Sequence, residues 1–262
     1  MSLNSVAAHA DSAPKDRTEI CRQSWQVLSG QFKENYQALK GEWSKLATQC
    51  QGTGLYEYHW GSLLERTGSL KEAIEYFGNA LKQDIADKDE IRVSYVSYRF
   101  SDALLVNEHD TNRLRGIHQE IADILQAHPN NPSALTEEAR QLVALKDYGG
   151  ALTAAKRAAD LDANSWPARM WLVVAAAHTG DCRLAKPYIV PTIKTRGDAL
   201  LAQQDFMYAA VSCYLATGEV STAENAIRAL AKNNSAVKQD PVFLRLVNDV
   251  LAAKRAQQSA PQ

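Results

Sequence analysis

Cysteine and histidine are the side chains most able to do chemistry here, four of the first and six of the second. Cys21, Cys50, Cys182 and Cys213 are far apart, and none stands in a Cys-x-x-Cys pair. Zinc ribbons and thioredoxin-like sites need that close spacing, because two sulfurs must converge within one turn. Four cysteines allow three disulfide pairings; the alternative is four reduced thiols buried as small hydrophobes, the rule in a reducing cytosol. The histidines are His9, His59, His109, His118, His128 and His178. None forms the His-x-x-x-His or Glu-x-x-His spacing that places two metal ligands on one helix face. Lone histidines of this kind are usually polar surface residues. Glu137 and Glu138 adjoin, but successive helical positions point in different directions, so they make a poor acid/base pair. Phosphate-cradling loops of the Gly-x-x-x-x-Gly-Lys or Gly-x-Gly-x-x-Gly kind and a Gly-x-Ser-x-Gly elbow are missing from the sequence. The expectation is a chain with no catalytic residue, no metal ligand and no cofactor.

Composition narrows the class further. Of 262 residues 45% are hydrophobic, enough for a packed core, and the net charge of −1 with no basic stripe argues against a nucleic-acid partner. No apolar run approaches the ~20 residues that span a bilayer, so no transmembrane segment is expected. Residues 1–14 read as a disordered leader. Met1-Ser2-Leu3 resembles a cloning remnant, and Ala8-His9-Ala10 fits the small-x-small pattern of a signal cleavage site. One reading is the tail of an export signal, which places the protein in a bacterial periplasm or similar compartment. The alternative is a floppy Ala/Ser-rich end on a cytoplasmic protein.

The strongest signal is internal repetition. Trp60, Gly61 and Leu64 lead into Thr67-Gly68, and Ala73, Phe77 and Ala80 follow at helical spacing. Glycine can end one helix in a left-handed conformation and let the next begin at once. The pattern returns in Ala139, Leu142, Tyr148, Ala151, Ala155 and Ala158, and again in Val173, Ala176, Gly180, Cys182, Ala185 and Ile189. Val211, Tyr214, Gly218, Val220, Ala223, Ile227 and Leu230 make another copy. A weaker one lies around Ala103, Leu114, Ile117, Ile121, Ile124 and Pro129. The anchors Ala73, Ile117, Ala151, Ala185 and Ala223 are 44, 34, 34 and 38 residues apart.

From Gly54 to Ser235 the chain resembles the tetratricopeptide repeat family, whose period is 34 residues. The family's small contact residues, turn residue and second-helix aromatic fall on Gly61, Ala73, Ala80, Gly68 and Phe77. The resemblance implies an all-α fold, a right-handed superhelical stack of about five helical hairpins with N- and C-terminal capping helices. The longer steps imply insertions near Ile85–Glu90 with Asn107–Thr111, and near Lys194–Gln204. Residues 15–53 are expected to form N-terminal capping helices, with Gly30 and Gly41 as breaks. The array covers 54–237, a capping helix opened by Asp240-Pro241 covers 238–256, and 257–262 is a disordered tail. Lys146 replaces the turn glycine of one copy. Pro187 and Pro191 are expected to leave their helix short, kinked or broken.

The same layout bears on the cysteines. It sets Cys182, at the start of one repeat's second helix, beside Cys213, near the end of the next repeat's first helix. It also favours Cys21 with Cys50 in the N-terminal cap. In this family ligands lie on the concave face made by the first helix of each hairpin. Carried over, that face comprises Tyr58, His59, Ser62 and Arg66, then Glu137 and Arg140, then Met170, Trp171, Val174 and His178, then Tyr208 and Ser212. The Lys, Asn and Arg of chaperone-tail binders are replaced by Tyr58, Ser62 and Trp171, so a carboxylate clamp is not expected. The implied function is a scaffold or adaptor for protein or peptide partners. A ligand- or peptide-responsive sensor and a structural subunit of an oligomer are the alternatives.

Overall fold

The computed structural model describes residues 14–33, 35–85 and 88–259, and every regular element among them is helical. Three helices come first, α1 (Pro14–Phe32), α2 (Tyr36–Ser44) and α3 (Ala47–Cys50). Four hairpins follow: α4 (Leu55–Arg66) with α5 (Leu70–Ala80), α6 (Lys88–Asn107) with α7 (Thr111–Ala127), α8 (Pro132–Ala144) with α9 (Tyr148–Leu161), and α10 (Trp166–Thr179) with α11 (Cys182–Arg196). A single turn, α12 (Asp198–Leu201), leads to the fifth hairpin, α13 (Gln204–Ala216) with α14 (Val220–Asn233). A 3-10 segment, Ser235–Gln239, precedes α15 (Pro241–Ser259). Residues 1–13 of the expected leader and residues 260–262 of the expected tail lie outside the described residues.

Four of the five hairpins are closed by one backbone device. Gly68, Lys146, Gly180 and Gly218 adopt φ of 94°, 65°, 79° and 80°. The next residue in each case turns its N–H back five positions: Ser69 to Leu64 O, Asp147 to Leu142 O, Asp181 to Ala176 O and Glu219 to Tyr214 O, at 2.8–2.9 Å. The turn residue itself donates three positions back, Gly68 to Glu65 O and Lys146 to Val143 O among them. These paired bonds are the Schellman arrangement, which satisfies the orphan carbonyls of the first helix. In two of the four a side-chain cap then starts the second helix: Asp147 accepts from Gly150 N and Asp181 from Leu184 N. The α6–α7 turn differs. Asn107 and Asp110 cap it locally, accepting from His109 N and Arg113 N, and no five-back bond forms.

Reversal this tight demands small residues where the helices meet. A Cβ added at Gly61 would sit 3.1 Å from the Phe77 ring and 3.2 Å from Ala73 O. The chain divides into two units within α7, after Glu120. In the first, Leu64, Ala73, Phe77, Ala80, Ile85 and Ile91 form one core, and Cys21, Leu39, Trp43, Cys50, Tyr56 and Leu63 form another under the N-terminal helices. Arg99 on α6 pairs with Glu120 on α7 at 2.6 Å, and Arg113 pairs with Asp102 at 3.5 Å, an antiparallel register. In the second unit the buried residues of α9 are all alanines, Ala151, Ala154, Ala155, Ala158 and Ala159, so its neighbours α8 and α10 can approach its backbone closely. Both cysteine pairs implied by the repeat layout sit at bonding distance, with Cα atoms 5.7 Å apart for Cys21 and Cys50 and 4.9 Å for Cys182 and Cys213.

Three expectations need correction. Gly30 and Gly41 lie inside α1 and α2, and the reversal falls instead after Lys33, which takes φ 42°. Exposed glycines weaken a helix by only about 1 kcal/mol, so they need not end one. Helix α11 runs unbroken for 15 residues through both prolines. Pro187 and Pro191 are exposed, four apart, and on the opposite side from buried Cys182, Ala185, Ile189 and Thr192. The carbonyls they leave unpaired therefore fall on the wet side, where water serves them. Finally, α15 continues to Ser259, taking in the first three residues of the expected tail. Its start is as expected: Asp240 accepts from Val242 N and Phe243 N, and Pro241 is its first residue.

A left-handed Lys146 costs about 1–2 kcal/mol that glycine would avoid, partly offset by the entropy glycine adds to the unfolded chain. Lys146→Gly should raise the thermal midpoint by about 1–3 °C. An unchanged or lower midpoint in a calorimetric melt would show that the turn is not strained.

Candidate functional site

Sequence reasoning placed four binding residues on α4, and all four have partners within the first unit. The His59 ring lies 3.9 Å from that of Trp25 and parallel to it, with Trp43 edge-on at 5.8 Å. Burial, with a smaller contribution from the Arg22 charge, holds the imidazole down at about 3, so it is neutral at ordinary pH. Tyr58 packs on Phe77 with ring centroids 5.7 Å apart. Ser62 Oγ donates to Tyr58 O, and Arg66 donates to Tyr36 Oη at 3.0 Å while lying over its ring. Helices α1 and α2 thus supply the Trp25, Trp43 and Tyr36 rings that hold His59 and Arg66.

The second unit is different. Helices α8, α10 and α13, the first helices of consecutive hairpins, pack side by side, and α15 continues the row against α13. Met170 and Trp171 of α10 and Tyr208 of α13 are half-buried and rest one side on the same apolar cluster. Ser212, one turn after Tyr208, is half-buried too. Val174 does not join them: at 1% exposure it belongs to the buried cluster itself. Glu137 is buried and engaged by the Arg140 guanidinium through two bonds, of 2.6 and 2.8 Å, and by Gln141 Nε2 at 2.8 Å. That network neutralises the arginine's charge on α8.

The other end of the row is acidic and crowded. His178 stacks flat on Tyr148, centroids 4.1 Å apart. Covering of the ring lowers its pKa, opposed by the Asp205 carboxylate. Asp205 keeps an exposed edge, yet crowding raises its carboxyl, as does the nearby charge of Asp240, while His178 pulls the other way. Asp240 is already committed to the α15 N-terminus and accepts from Gln204 Nε2 at 2.6 Å. Tyr208 Oη is covered without a well-aligned hydrogen-bond partner, and covering, then the Asp240 charge, push it up to about 12. The sequence carried no sign that Tyr148 would meet His178 or that Asp240 would lie beside Tyr208.

No profile of a known protein family matches the chain, and no curated protein matches it in sequence. Solved structures do match in shape. Pseudomonas aeruginosa PilF is 11% identical, with 90% of this chain and 99% of that one covered and a TM-score of 0.61. PilW, described as a widely conserved type IV pilus biogenesis factor, is 17% identical over 91% of this chain and 100% of its own, with a TM-score of 0.57. A tetratricopeptide repeat protein of Parabacteroides merdae is 14% identical over 90% and 89%, with a TM-score of 0.51. The fold is tetratricopeptide-like; identities this low carry the fold alone.

His59 gives a testable pH dependence. Its folded pKa lies below the unfolded value near 6.5, so its contribution to stability is complete above about pH 6.5 and is lost as pH falls toward 3. Across that window the unfolded chain binds up to one extra proton, a slope of up to about 1.4 kcal/mol per pH unit. His59→Gln should flatten the acid limb of a urea-midpoint series by that amount. Parallel wild-type and variant curves would mean that the ring is not buried neutral.

Proposed function

We propose that this chain is a non-catalytic scaffold that docks a peptide or protein segment on the face formed by α8, α10 and α13. The observation that carries this reading is the row of Met170, Trp171 and Tyr208: three large side chains anchored on the core at one edge and open at the other. Rigid, half-buried aromatics bring large contact area at little entropic cost, and such residues dominate interface energetics. Ser212 supplies a polar contact, and Asp205 and Asp240 give that end of the face a negative character. The α4 residues Tyr58, His59, Ser62 and Arg66 are better read as holding α1 and α2 in place than as docking residues.

The second element of the proposal is an oxidising, exported location. Two cysteine pairs at bonding distance favour it. Scaffolding of an envelope assembly would suit such a compartment, and the likeness in shape to PilF and PilW is compatible with that.

Photoreactive residues placed one at a time at Trp171, Tyr208 and exposed Lys156 test the face. Crosslinks to one partner from the first two positions and none from Lys156 are expected, and Trp171→Ala should weaken capture of that partner about ten-fold or more. Equal crosslinking from Lys156 would sink the assignment. Location is tested separately by counting free thiols in denatured, unreduced protein taken from its native host. Zero is expected; four would remove the support for export.

A further inference from the structure

The two cysteine pairs sit in unlike surroundings. Cys21 and Cys50 are 0% exposed, enclosed with Trp25, Leu39, Trp43 and Tyr56. Cys182 is 6% exposed and lines a surface cavity of about 460 Å³, walled by Gly180, Asp181 and Arg183 on one side and Ala216 and Thr217 on the other. Cys213 lies behind it at 1% exposure. Thiol–disulfide exchange requires a thiolate to reach a sulfur, and among the described residues it is Cys182 that borders such a cavity. Cys182 is also the first residue of α11, with Arg183 beside it, a setting that stabilises a thiolate.

We propose that the Cys182–Cys213 bridge is a thiol-exchange site, opened at Cys182 Sγ by a dithiol reductant, and that it acts as a reversible lock on α11. The reductant's thiolate bonds to Cys182 Sγ as the bridge breaks, and Cys213 leaves as a thiolate and takes a proton. The reductant's second thiolate then attacks its own sulfur in the mixed disulfide, and Cys182 leaves as a thiolate. The products are two protein thiols and the oxidised reductant.

Helix α11 has fewer backbone bonds of its own than a proline-free helix of its length. Pro187 and Pro191 each remove a backbone donor, and the chain after it turns at Gly197, φ 61°, into a single helical turn. With the bridge open, α11 is still held by buried Ala185, Ile189 and Thr192, by the ion pair of Lys186 with Glu219 at 2.6 Å, by Arg169 donating to Thr195 Oγ1 at 3.0 Å and by Arg196 over the Trp166 ring. Lys186 and the Thr217 hydroxyl hold the Glu219 carboxyl below its ordinary range. Helix α11 packs on both α10 and α13, so loosening it acts on the two helices that carry Met170, Trp171 and Tyr208.

The oxidised full chain is treated with graded dithiothreitol, trapped with N-ethylmaleimide and mapped by peptide mass, with amide exchange followed at the stage where one bridge is open. Cys182 and Cys213 should be labelled at least about ten-fold faster than Cys21 and Cys50, with access the controlling difference. Exchange across 182–196 should rise, and air reoxidation should restore it. Equal rates, or earlier opening of the N-terminal pair, overturn the exchange site. Clean opening at Cys182 with unchanged exchange in α11 overturns the lock.

Discussion

A backbone N–H that reaches back five residues sets the geometry of most of this chain. The bonds from Ser69, Asp147, Asp181 and Glu219 close a helix and reverse it within two or three residues. Once the reversal is that short, the second helix must lie directly against the first, and only small residues fit between them. Gly61 against Ala73, and the alanine face of α9, follow from that requirement. Each hairpin then buries its remaining apolar face on its neighbours, as repeat proteins do. In the second unit the first helices fall into a row, and the large side chains between core and solvent collect along it.

Polar groups are handled differently at two of the four places where binding was expected. On α4 the aromatic rings of α1 and α2 surround a neutral histidine, so the charged form is excluded and the surface is filled. On α8 a buried carboxylate is gripped by a forked arginine and an amide. Breaking such a pair by removing one partner typically costs about 3–5 kcal/mol, since the other charge is left in a dry place. The first arrangement closes a surface, and the second stiffens one wall of an open face.

Legibility followed the range of the interactions. Gly68, Gly180 and Gly218 were readable because glycine is the residue that most easily takes a left-handed turn. Lys146 was found only through the spacing between copies, since nothing about lysine announces that conformation. Gly30 and Gly41 misled because an exposed glycine inside a helix looks the same in sequence as one that ends it. Pro187 and Pro191 misled for the opposite reason: their sharing of the wet face is a property of the packed helix. On α10 the family resemblance set Val174 on the concave face with Met170 and Trp171, although in the packed helix it is core. The contacts of His59 with Trp25 and Trp43 join distant segments and leave no local trace.

The turn between α6 and α7 stands apart, capped by its own Asn107 and Asp110 side chains and without the five-back bond of the other hairpins. Lengthening it breaks no five-back bond, and the entropy of a longer loop grows only slowly, by about 0.6 kcal/mol per doubling. The other four hairpins have no such slack, because an added residue would tear the N–H away from its carbonyl. Over many generations of sequence change, insertions should therefore be retained at Glu108–Asp110 and purged at the glycine turns. That turn is the natural place to graft a tag or a foreign loop into this chain.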